Sequence, residues 1–184
     1  MPTAPEWCLD GDVIVVGDLR VTAQRIAASH WRPDGRLRSW GQAPMQREHD
    51  AVLVPCGADE CLWLGAWVED GPMDGRAGDP RNGPADVPTP ARIAVRDPAS
   101  GASAVAALPD AYQLGALLSD GAPPAPLQLA AHGASRRLAI ELECGAMRAA
   151  FDLVLQPPTA WAAHAHRAPP APLDVPPPLP PRLG

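Results

Sequence analysis

Cys56 and Cys61 enclose four residues in the stretch CGADEC, and two thiols so placed can hold half of a zinc site or supply a nucleophile. A structural zinc site needs a second close pair of Cys or His. The pair on offer, His164 and His166, lies about a hundred residues further on. For covalent catalysis Cys56 would have to ionise, with His49 or His132 as its base. No neighbouring cation lowers its pKa, and no G-x-S-x-G turn offers a serine instead. The expectation is therefore structural, buried thiols.

Hard oxygen ligands gather in residues 70–90, where Asp70, Asp74, Asp79, Asn82 and Asp86 stand in a stretch rich in Gly and Pro. An EF-hand loop places acids at every second position before a glycine, whereas the steps here are four, five, three and four. The segment reads as a long polar surface loop. REHD at 47–50 reads as the solvated start of a strand, in which Glu48 and Asp50 share a side and His49 does not.

Six Trp accompany a single Tyr and a single Phe. In CLWLGAWVE, Trp63 and Trp67 fall on one face of a strand, and Leu62, Leu64, Ala66 and Val68 fall on the other. With the aliphatic face inward, the two indoles would form an outer platform suited to sugars or to proline rings. Gly65 between them could instead mark a bulge that turns one indole inward. Few other aromatics are available to fill a core, so burial of at least one Trp is expected.

The stretch LDVPPPLPPRLG places Pro177, Pro180 and Arg182 at the P-x-x-P-x-R spacing of a polyproline II ligand that finishes on a positive charge. Such a backbone is already restricted, so docking orders it at little cost. Leu179 and Leu183 are the side chains that would bury. The candidate binding residues are thus Trp63, Trp67, Pro177, Leu179, Pro180 and Arg182, with no catalytic residue and no metal ligand among them.

The elements that must position these residues are mainly strands. RLAIELECGAMRAAFDLVLQ alternates with period two on both sides of Gly145 and predicts a long antiparallel hairpin. ARIAVRDPASGASAVAAL predicts a second hairpin around DPASG, and SHWRPDGRLRSW a third around PDG. DVIVV, DAVLVPC, ECLWLGAWVED and PLQLAAH also read as strands, and GDLRVTAQRIAAS fits a strand better than a helix. Two short helices are expected, one in PDAYQLGALLSDG and one in PPTAWAAHAHRAPP. The sum is an all-β protein, a mainly antiparallel sandwich or barrel of about 9–11 strands with one or two short helices and a proline-rich tail. Its parts are a β-rich globular domain at 1–156, a short helical connector at 157–168 and the tail at 169–184.

Composition limits the function classes. A net charge of -6 and a pI near 5.2 give no basic footprint for nucleic acid or an anionic membrane. No run of about eighteen apolar residues occurs, and the first residues do not resemble a secretory signal. Scattered cysteines fit a reducing compartment, so the expected location is the cytoplasm, with a signal-less export route also compatible. All fifteen basic residues are Arg and only one Asn occurs, a pattern of GC-rich bacterial coding that also inflates Ala and Pro. Three readings follow. The first is a non-enzymatic protein-interaction or assembly module, needing no cofactor, whose partner is another protein or a second copy of the chain. The second is a carbohydrate-binding or small-ligand sandwich using surface Trp. The third is a thiol- or metal-dependent hydrolase.

Overall fold

The computed structural model describes residues 7–33, 37–69 and 89–173. These residues are mostly strands in antiparallel and mixed sheets, with one helix and two 3-10 turns. A five-stranded sheet has the order β1 (Cys8–Asp10), β2 (Val13–Val16), β3 (Leu19–Ala27), β6 (Glu60–Val68) and β9 (Gln113–Leu114). A six-stranded sheet has the order β4 (Gln46–Glu48), β5 (Ala51–Pro55), β13 (Met147–Gln156), β12 (Arg136–Cys144), β7 (Ala91–Arg96) and β8 (Ser103–Leu108). β10 (Ala116–Leu117) pairs with β11 (Ala125–Pro126). β5 and β13 pair in parallel, which makes the larger sheet mixed.

Alternation in the sequence determines which side chains enter the core. In β12 and β13, Leu138, Ile140, Leu142, Cys144, Ala149, Phe151, Leu153 and Leu155 are buried, and they meet across the register Ile140↔Phe151. From the other sheet, Leu19, Val21, Ala23, Leu62, Leu64 and Ala66 join the same hydrophobic cluster. Burying a Leu or Phe side chain contributes about 1.5–3 kcal/mol, so this shared cluster is the main source of cohesion between the sheets. Gly145 takes φ +58 in the β12–β13 turn, a conformation that favours glycine. In the β7–β8 turn Asp97 accepts hydrogen bonds from the Ala99 N–H (2.9 Å) and the Ser100 hydroxyl (2.8 Å), as the DPASG sequence predicts.

Three local expectations are corrected. PDAYQLGALLSDG contains β9 and β10 rather than a helix, because Leu114 pairs with Leu64 of β6 and Gly115 lies against the Leu37 side chain. Long-range pairing outweighs a weak helical pattern that a central glycine already penalises. The described part of SHWRPDGRLRSW forms no hairpin, while Asp34 and Gly35 lie outside the described residues. Instead residues 40–43 run beside β3, with Trp40 N–H bonded to the Arg25 carbonyl and Arg25 N–H to the Gly41 carbonyl, both at 2.8 Å. They extend the sheet edge where β2 stops. PLQLAAH supplies the end of β11, a bridge from Leu127 to Leu62 and the start of the 3-10 turn Ala131–Gly133, not a strand of its own. The second expected helix is present as α1 (Pro158–Ala165), ending on His166 in the left-handed region.

Two segments join the sheets at their margins. Residues 113–118 leave β6 of the smaller sheet and reach β8 of the larger, where Leu118 and Ser103 exchange backbone hydrogen bonds of 2.8 and 2.9 Å. On the other side, α1 packs on β5 through buried Trp161, whose indole N–H donates to the Leu53 carbonyl at 3.1 Å. Residues 167–173 then run from α1 to Arg25 of β3.

Candidate interaction surface

The outer face of the five-stranded sheet carries the tryptophans singled out in the sequence, and it is divided into a covered half and an open half. β3 and β6 pair without interruption from Leu19↔Val68 to Ala27↔Glu60, so no bulge occurs at Gly65. Trp63 and Trp67 do share the outer face. Trp63 is nonetheless buried, at 8% exposure, in a small second cluster with Ile26, Leu37 and Cys61, against which Trp31 and Trp40 pack. Gly65 serves as its seat, since a Cβ there would stand 2.9 Å from the indole ring.

The cover over Trp63 is fastened by polar contacts. The Trp31 indole N–H donates to the Gly115 carbonyl at 2.9 Å, and the Gln113 amide meets both the Leu37 N–H (3.3 Å) and the Leu37 carbonyl (3.1 Å). The Trp63 indole N–H itself has no hydrogen-bond partner. Trp67, four residues along, is 42% exposed and lies opposite Arg20, which pairs with Glu69 at 2.6 Å. A platform of two open indoles is therefore not formed, and the carbohydrate reading keeps one ring. The remaining tryptophans are accounted for by packing: Trp7 against Phe151 with Arg47 4.0 Å above its ring, and Trp161 fully buried.

Pro177, Leu179, Pro180 and Arg182 lie outside the described residues, as do Asp70, Asp74, Asp79, Asn82 and Asp86. The approach to the tail is described. Arg167 donates to the Asp12 carboxylate at 3.2 Å and to the Met45 carbonyl, and its guanidinium stands 5.6 Å from the centre of the Trp161 ring. Arg25 donates to the Ala171 carbonyl at 2.8 Å. Residues 167–173 thus form a strap across the margin of the two sheets.

Arg25 is the residue of this surface that motif reading missed. Its guanidinium makes a two-pronged ion pair with Glu60, the Nε contact being 3.0 Å, and both side chains are at least nine-tenths buried. The signal was present in the alternation. Arg25 has the parity of Leu19, Val21 and Ala23, and Glu60 that of Leu62, Leu64 and Ala66, so opposite charges occupy the inward faces of adjacent strands.

The chemical candidates are displaced. Burial pushes the Cys56 thiol up to about 12 and Cys61 up to about 11, so both remain protonated at neutral pH and are poor nucleophiles. His49 sits with φ +54 in the β4–β5 turn, so REHD leaves the strand at Glu48. Among the described residues no group of three or more His, Cys, Asp or Glu is placed to hold a metal ion. An open depression of 610 Å³ lined by Leu129, Ser135, Arg136 and Asp97 offers no free charge. There burial raises the Asp97 pKa, but hydrogen bonds from Ser100, Ala99 and Arg136, with the Arg136 charge, outweigh it and hold the carboxyl below its usual range.

The fold and surface define a strand-rich protein of antiparallel and mixed sheets with a guarded aromatic face, and among the described residues no helix is long and apolar enough to cross a membrane. No family model, no curated protein and no solved structure matches this chain.

Proposed function

We propose that the chain is a non-enzymatic protein-interaction or assembly module, a β-sandwich body that presents a proline-rich docking tail to a protein partner. The observation that carries this reading is the hold of Arg25 on the Ala171 carbonyl. Because of it, residue 171, six positions before the P-x-x-P-x-R segment at 177–182, is held against the body. A tethered polyproline II ligand fits an aromatic groove on a partner, with Pro177 and Pro180 as packing rings and Arg182 directed at an acidic rim. The protonated state of buried Cys56 favours this reading over a thiol hydrolase. Recovery of partners from host extract tests it. The full chain should capture proteins that neither a chain ending at Leu173 nor Arg182→Ala captures, and equal capture by all three removes the tail from the function.

A further inference from the structure

Arg25 holds two segments at once. Its side chain reaches the Ala171 carbonyl, and its own backbone N–H and carbonyl hold Gly41 and Trp40, the segment that packs over Trp63. The strap has little else to keep it in place. Residues 166–169, 171 and 172 are exposed, Pro170 and Leu173 are half-buried, and the remaining anchor is Arg167 on Asp12 and the Met45 carbonyl. A segment held by a few polar contacts and little buried apolar area opens more readily than the strands beneath it.

We propose that residues 167–173 are a latch: seated, they fix Arg25 and thereby the Trp40 segment over Trp63, and unseated, they free that segment and open the aromatic cluster to solvent. The physical link is short, one guanidinium joined through its own residue to one backbone pair. The latch also lies directly before the tail, so a partner that takes Pro169–Leu173 together with the tail competes with it. Its place in function rests on the docking reading above, whereas its mechanics do not.

Nuclear magnetic resonance on the full chain tests the latch with two variants. Arg167→Gln removes one anchor. Arg25→Lys keeps a positive charge beside Glu60 but lacks the fork needed to span Glu60 and Ala171. In each, the amides of Ala168, Ala171 and Leu173 should gain fast motion in heteronuclear relaxation. The Trp40 amide should exchange with solvent at least tenfold faster, while amides of β12 and β13 keep their rates. A strap that becomes mobile with Trp40 exchange unchanged overturns the coupling, and a strap that stays rigid in both variants overturns the latch. Because no partner is present, failure here is separable from failure of partner capture. If Arg25→Lys does not fold, Arg167→Gln alone decides, since it touches neither Arg25 nor Glu60.

Discussion

Single residues in this chain carry an unusual pH signature, because every basic side chain counted by charge is Arg and none is Lys. Cys56 and Cys61 are raised to about 12 and about 11 in the folded chain from 9.0. Below pH 9 both states keep these protons. Above it the unfolded chain releases them first, so the unfolded state binds fewer protons and stability falls, by about 1.4 kcal/mol per thiol per pH unit. Urea unfolding should give a flat midpoint from pH 6 to 8 and a clear drop by pH 10, and Cys56→Ala should remove part of that slope. A midpoint unchanged at pH 10 would show that these thiols ionise as freely folded as unfolded. Reading the sequence placed these cysteines inside correctly, since neither has a cationic neighbour in sequence. It did not find Arg25 beside them, whose partner Glu60 becomes adjacent only when β3 and β6 pair.

At the scale of elements, strands with a period-two pattern were legible and the segments that cover them were not. β12, β13, β7 and β8 follow from alternation and from the DPASG and CGAM turns, because each residue's face depends only on its neighbours along the strand. Residues 37–42 have no such internal rule. Their course depends on Leu37 meeting Gly115 and on Gln113 reaching back to Leu37, contacts between residues more than seventy positions apart. The same contacts decided against a helix at 110–118, where Leu114 and Leu117 had suitable helical spacing but found partners in β6 and the core. For this reason the shared face of Trp63 and Trp67 and the burial of at least one Trp were legible, and the cover that buries Trp63 was not. Leu37→Ala should loosen that cover at a cost of about 2 kcal/mol, the low end for a buried Leu because the site lies near the surface. Red-shifted, more quenchable Trp emission in folded protein would accompany it. Unaltered emission would mean that Leu37 contributes nothing to shielding Trp63.

For the molecule as a whole, the margins where the two sheets come together matter as much as the sheets. One margin is joined by backbone, through residues 113–118. The other is spanned by α1 and by residues 167–173, which end on Arg25, and Arg25 is ion-paired with Glu60 inside its own sheet, where loss of one partner leaves a buried charge. Glu60→Ala should therefore cost about 3–5 kcal/mol, whereas Asp152→Ala, which breaks the exposed pair with Arg137 at 2.6 Å, should cost no more than about 1 kcal/mol. Urea titration of the two variants side by side measures the difference. Similar losses for both would show that burial adds nothing to the importance of the inward pair.

The hold on Ala171 also sets a length. Nine positions separate Leu173 from Arg182, and no chain conformation carries them further than about 32 Å at ~3.6 Å per residue. Any protein gripped by that tether is confined to a small volume beside the body, at an effective concentration in the millimolar range for a short linker. A contact too weak to be seen between free proteins, such as one made by the open indole of Trp67, would then be populated. Under the docking reading proposed above, the strap would convert two feeble attachments into one selective one, with selectivity set by whether a partner can reach both at once.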